Sequence, residues 1–191
     1  MIKINSIGII AEEESDFNSI KVLVGRIVSN GSLKFNGFHP GGCSKIKRKA
    51  GEYANILATK GCNMLIFVHD LDRNDLKKLK KEIEEKLKGN PIENCLICIP
   101  IEEIEAWFLS DQEGIKKIFK LEKFQKIKGL PEEIISPKES LEKCIRWSSN
   151  KKIYLTTSHN EILASKLSIE KMKQKCPSFK DFYIFLKQYK Y

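Results

Sequence analysis

Two aspartates one residue apart, Asp70 and Asp72, follow the apolar run Met64 to Val68 in the stretch VHDLDRND. Glu12, Glu13, Glu14 and Asp16 follow an earlier apolar run, and Glu102, Glu103 and Glu105 a later one, with Asp111 a little beyond. The chain as a whole is basic, with a formal net charge of +9, so acids gathered at three points call for a reason. Oxygen ligands with no soft partner suit a hard cation such as Mg²⁺ or Mn²⁺. Without a cation, close carboxylates raise one another's pKa values. A cation-binding edge on a basic protein points to phosphate chemistry. The plainer reading is helix capping, in which an acid after a strand satisfies free N–H groups and the helix dipole. That reading serves any one cluster better than all three.

The elements that must carry these residues can be read from periodicity. Lys3 to Ala11 reads as a buried strand. Ser15 offers an N-cap, with Phe17, Ile20, Leu23, Val24 and Ile27 at helical spacing after it. Leu33 to Phe38 reads as a short strand, and His39-Pro40-Gly41-Gly42 as a loop. A helix is expected from about Ser44, with Gly61 at its end. Met64 to Val68 has the continuous apolar character of a buried parallel strand. About Asn74 to Lys88 reads as a helix, with Asp72 or Asn74 as its cap, and Cys95 to Ile99 as a fourth strand. Alternating strands and helices predict an α/β fold with a mostly parallel four-stranded sheet flanked by helices. From Ile101 onward the pattern is helical. The expected division is residues 1–112 as the α/β core and 113–191 as a helical extension packed on it. In an open parallel sheet the C-terminal strand ends share one edge, where ligands bind, so the three acid clusters should converge.

Composition narrows the classes. A length of 191 residues and an apolar fraction of 41% fit one globular unit. No apolar stretch approaches membrane-span length. The run Met1-Ile2-Lys3-Ile4 leads straight into acids, unlike a signal peptide, and the expected location is cytoplasmic. Cys95-Leu96-Ile97-Cys98 has zinc-like spacing, but residues three apart on a strand face opposite ways, so both cysteines read as core. The basic turn Lys45, Lys47, Arg48 and Lys49, and the lysines at 116, 117, 120, 123, 126 and 128, can track a phosphate backbone or simply form solvated faces. Trp107 reads as core rather than a base-stacking platform. His69 reads either as a proton carrier beside the Asp pair or as a packed residue, and His39 and His159 as loop or cap residues.

Several of these segments resemble a known family. Ile9-Ile10-Ala11-Glu12-Glu13-Glu14-Ser15-Asp16 is similar to the strand-Glu-Gly-x-x-Asp opening of Toprim domains, with Glu13 where glycine is usual. Phe67-Val68-His69-Asp70-Leu71-Asp72 resembles their Asp-x-Asp motif. The segment Ile99 to Asp111 with its Glu-Ala-Trp, Pro137-Lys138-Glu139, and Cys176-Pro177-Ser178-Phe179 resemble small stand-alone Toprim proteins related to OLD-type (overcoming lysogenization defect) nucleases. The resemblance implies a nuclease that hydrolyses DNA or RNA with two Mg²⁺ or Mn²⁺ ions, linked to phage defence. It also implies an ABC- or AAA-type ATPase partner encoded nearby, and admits a homo-oligomer. Carried over by position, Glu12, Asp16, Asp70, Asp72, Glu103 and Glu105 would bind metal, with the choice among Glu102, Glu103 and Glu105 open. Glu12, Asp70, Asp72 and Lys138 would act in catalysis. A non-catalytic Toprim-fold subunit that binds an ATPase or nucleic acid uses the same residues differently. A haloacid-dehalogenase-type phosphatase would use Asp70 as a covalent nucleophile, although that family normally carries the motif on its first strand.

Overall fold

The computed structural model describes residues 3–29, 31–149 and 153–191. Met1 and Ile2, on which the signal-peptide reading leaned, lie outside them. The protein is an α/β fold built on a four-stranded sheet in the order β2-β1-β3-β4, with every pairing parallel. The strands are β1 (Ser6–Ile10), β2 (Lys34–Phe38), β3 (Met64–Val68) and β4 (Cys95–Cys98). The first is shorter than expected, and Lys3 makes only an isolated bridge to Lys190.

Two helices on one face and one on the other connect the strands' apolar sides. Helix α1 (Glu14–Val28) buries Ile20, Leu23, Val24 and Ile27 against Ile7, Ile9, Met64 and Ile66. Helices α2 (Cys43–Thr59) and α3 (Leu76–Lys86) cover the opposite side, where Ala54, Leu57, Leu79 and Ile83 meet Leu65 and Phe67. Alternation along β3 thus sends Met64, Ile66 and Val68 to one core and Leu65 and Phe67 to the other. Cys98 joins the first core and Cys95 packs against the second, as strand geometry requires.

The chain beyond β4 is helical: α4 (Glu105–Leu109), α5 (Gln112–Ile118), a 3-10 turn at Pro131–Glu133, α6 (Pro137–Ser148), α7 (Thr156–Lys166), α8 (Ile169–Lys175) and α9 (Pro177–Lys187). These helices share the α1-side core, with Leu141, Ile145, Leu163, Leu167, Phe179 and Phe182 in the same cluster as Ile20 and Ile66. Trp107 is fully buried there, edge-on to Phe179 at 5.1 Å. No helix among the described residues is long and apolar enough to cross a membrane.

Helix ends differ in detail from expectation. Glu13, not Ser15, caps α1 in a capping box, and Asp16 accepts the Glu13 N–H at 3.4 Å. Asp75, not Asp72 or Asn74, caps α3 by accepting the Lys78 N–H at 2.9 Å. Gly37 is required by crowding. A Cβ there would lie 2.2 Å from the Phe17 ring and 2.4 Å from the Ile9 carbonyl oxygen. Gly37→Ala should therefore destabilise the fold by at least about 1–3 kcal/mol, measured by denaturant unfolding.

Candidate active site: an acid cleft at the sheet edge

β1 and β3 are hydrogen-bonded neighbours, yet their following helices, α1 and α3, pack on opposite faces. The crevice at their C-terminal ends is thus the topological switch point, where open α/β sheets bind ligands. Glu12 and Asp16 leave β1 into this crevice, and Asp70 and Asp72 leave β3. The β3–β4 ladder runs on past both strands through His69 N–H to Cys98 C=O, Leu71 N–H to Pro100 C=O and Asp72 N–H to Glu102 C=O, at 3.1, 3.0 and 3.2 Å. That extension carries the residues after β4 back alongside Asp70 and Asp72, and so delivers Glu103 and Glu105.

The result is one polar cleft of about 320 Å³ lined by Glu12, Glu13, Ser15, Asp16, Asp70, Asp72, Glu103, Glu105, Lys138 and Thr156. Every acid expected at the site lines it, as does Lys138. Glu102 does not line it: it takes φ 61° and turns toward Arg73, with Oε2 3.9 Å from Nε. Of the three glutamates, Glu103 and Glu105 line the cleft. Glu13 needs no glycine freedom, because its φ is −117°. Asp111 belongs elsewhere. It caps α5, accepts the Gly114 and Ser168 N–H groups and pairs with Lys171 at 2.6 Å. Burial pushes its carboxyl up, but these partners hold it below the usual range.

Seven carboxyl groups face one ammonium in the cleft, and their energetics show it. Among the described residues, no ion pair joins Asp16, Asp70, Asp72, Glu103 or Glu105 to a basic side chain. Burial pushes Asp70 well above the ordinary carboxylate range, and Asp16, Glu105, Asp72 and Glu103 push it further. Asp16 is raised to about 7 by burial and by Glu105, Glu12 and Glu13, against the opposing Glu13 N–H. Glu103 is raised by burial and by Glu105 and Glu139, although it accepts the Lys138 backbone N–H at 2.9 Å. Among the described residues, no group of three or more His, Cys, Asp or Glu side chains is already drawn together tightly enough to grip an ion. The donor set, all hard oxygen and short of positive charge, still fits Mg²⁺ or Mn²⁺.

Four non-glycine residues around the cleft adopt left-handed backbone: Asp72 (46°), Arg73 (62°), Glu102 (61°) and Ser136 (55°). Such conformations are held only where surrounding contacts over-determine them, and they cluster at functional sites. Here Arg73 donates to Ser136 Oγ at 2.9 Å, tying the turn after β3 to the start of α6.

Of the basic turn, Lys47 pairs with Glu82 at 3.1 Å and Lys49 with Glu52 at 3.6 Å, whereas Lys45 and Arg48 are exposed. The loop before α2 is anchored to the cleft, because the Gly41 N–H donates to the Glu12 carbonyl at 3.0 Å. The lysine series ends on exposed side chains at 117, 120, 123, 126 and 128, with Lys116 half-buried. His69 is buried and does not line the cleft. Its Nδ1 lies 2.6 Å from the Asp70 carbonyl, and Nε2 has no partner among the described residues. His39 packs on Phe17, and His159 on Phe119.

Two functional neighbours were missed in the sequence: Tyr154 and Asn160, whose side chains contact Glu105. Asn160 carries a readable signal. It shares the buried face of α7 with Leu163 and Ala164, where a polar residue is out of place.

A parallel α/β fold with an acid cleft at its switch point defines the class structurally. The chain belongs to the family described as Domain of unknown function (DUF4276), whose model matches residues 11–187. No curated protein and no solved structure matches it.

The raised carboxyls have a consequence for stability. In cation-free protein, Asp16 and Asp70 keep protons when folded at pH values where the unfolded chain, with an ordinary value of 3.8, has released them. The folded state then binds more protons, so stability falls as pH rises from about 4 toward 7 and above. Each group contributes a slope of at most about 1.4 kcal/mol per pH unit. Thermal unfolding in chelator should show a midpoint that drops between pH 5 and pH 8, and Mg²⁺ or Mn²⁺ at pH 8 should raise it again. A cation-free midpoint that climbs steadily over that range would contradict the crowding.

Proposed function

We propose that this protein is a Mg²⁺- or Mn²⁺-dependent nuclease that hydrolyses DNA or RNA phosphodiester bonds in the cleft. The observation that carries the reading is the convergence of Glu12, Asp16, Asp70, Asp72, Glu103 and Glu105 with Lys138 in one cleft at the switch point. Glu12, Asp16, Asp70, Asp72, Glu103 and Glu105 would hold the cations. When bound, the cations supply positive charge against the phosphate and make a water more acidic. The chain's own residues would do the rest. Asp70 and Asp16, raised when cation-free, would lose their protons as cations replace them. Lys138 faces the cleft with a charge opposite to that of the phosphate, and the exposed Lys45 and Arg48 sit on the helix anchored beside Glu12 to receive the flanking backbone. In the net reaction, water oxygen bonds to phosphorus, the bond to the leaving sugar oxygen breaks, and that oxygen takes a proton.

The resemblance to small Toprim proteins of the OLD type supports this chemistry. It also supports a cytoplasmic, ATPase-linked phage-defence role, in which the protein is the effector and a neighbouring ATPase its regulator.

Purified protein incubated with plasmid DNA, tRNA and total RNA plus Mg²⁺ or Mn²⁺ should cleave at least one substrate. Chelator should abolish cleavage, and Asp70→Asn should lower the rate by at least about 100-fold, more than loss of an outer partner costs. Equal cleavage by Asp70→Asn would sink the assignment. Binding without cleavage, even with the ATPase added, would favour a non-catalytic subunit, and turnover of a small phosphate monoester alone would favour a phosphatase. Lys45→Ala/Arg48→Ala should weaken nucleic-acid binding and flatten its salt dependence by about 0.7–0.9 in log–log slope per lost phosphate contact.

A further inference from the structure

Glu105 is 4% exposed, yet it lines the acid cleft. Its oxygen Oε1 is held from two sides, by the Tyr154 hydroxyl at 2.8 Å and by the Asn160 side-chain N–H at 3.0 Å. Asn160 Oδ1 also lies within reach of the Tyr154 hydroxyl, whose one proton it shares with Glu105, so the three side chains sit in mutual contact. Both partners are buried, Tyr154 at 4% and Asn160 at 0%. Tyr154 lies just before α7, and Asn160 lies within it.

The type of partner matters more than the number of contacts. Asp111, an equally buried carboxylate nearby in sequence, is paired with the Lys171 ammonium, and its charge is satisfied within the chain. Glu105 is held instead by a phenol and an amide, both neutral. Neutral donors fix the direction of a carboxylate and stabilise it, but they leave its charge uncancelled. A buried, oriented carboxyl at the rim of a cleft, held by partners that carry no charge of their own, is what a cation ligand requires. Pinning Oε1 also fixes the plane of the carboxyl and so the heading of Oε2.

We propose that Tyr154 and Asn160 are positioning residues that aim Oε2 of Glu105 into the cleft, so that the helical half completes the cation site begun by the sheet. This rests on the cation-binding reading of the cleft. It assigns α7 a role beyond packing on α1, and it explains why a polar residue sits on that helix's buried face.

The test uses the full chain, Mn²⁺ alone as probe, and binding read by titration calorimetry or by loss of the free-Mn²⁺ paramagnetic resonance signal. Thermal midpoints are recorded for every variant. Tyr154→Phe removes only the hydroxyl and should weaken Mn²⁺ binding by about 10–100-fold, the usual effect of losing a partner that orients a ligand. Asn160→Ala should do the same, and decides the matter if Tyr154→Phe does not fold. In a Glu105→Gln background, Tyr154→Phe should change Mn²⁺ affinity little further, because the two act through one carboxylate. Unchanged affinity in both single variants, or an undiminished further loss in the Glu105→Gln background, overturns the positioning role while leaving the cleft a cation site. Wild-type protein that does not bind Mn²⁺ at all overturns the cation reading itself, and the positioning role with it.

Discussion

Electrostatic repulsion among carboxylates is the constraint on which the rest of the structure turns. Folding brings Glu12, Asp16, Asp70, Asp72, Glu103 and Glu105 to one cleft, and burial makes the charges of Asp16, Asp70 and Glu103 harder to hold. Nothing about that gathering is favourable by itself. It is imposed by apolar packing elsewhere: the two cores on either side of the sheet fix β1 and β3 side by side, and the acids follow the strands they terminate. The backbone ladder beyond β3 and β4 then forces the third acid segment alongside.

The helical half holds that third segment down. Trp107, two residues after Glu105, donates its indole N–H to Ser178 Oγ at 2.8 Å and packs among Phe179 and Phe182. The Cys176 thiol reaches the Ala106 carbonyl at 3.7 Å, and the Lys138 N–H reaches Glu103. Three segments far apart in sequence therefore meet one another in space. Glu-Ala-Trp, Pro-Lys-Glu and Cys-Pro-Ser-Phe are parts of one clamp around Glu103 to Trp107. Backbone held in left-handed conformations at Asp72, Arg73, Glu102 and Ser136 marks where the clamp and the strand ends press together.

Much of this was legible before any coordinates. The strand β3 could be read to the residue, because a short, continuous apolar run has few other readings in an α/β chain. The acids Glu12, Asp16, Asp70, Asp72, Glu103 and Glu105 were readable as one site because strand ends in a parallel sheet share an edge. The helix caps were not readable to the residue. Glu13, Ser15 and Asp16 offer competing caps, as do Asp72, Asn74 and Asp75, and backbone angles set by tertiary contacts choose between them.

The sequence by itself determined which elements form and which acids lie at strand ends, since both follow from short-range periodicity and from the rule that parallel strands align. Tertiary structure alone decided that Glu102 turns away while Glu103 and Glu105 turn in, that Asp111 is paired off by Lys171, and that Tyr154 and Asn160 reach Glu105 from 49 and 55 residues away. Those outcomes depend on the direction of individual side chains after long-range packing, which no local pattern encodes.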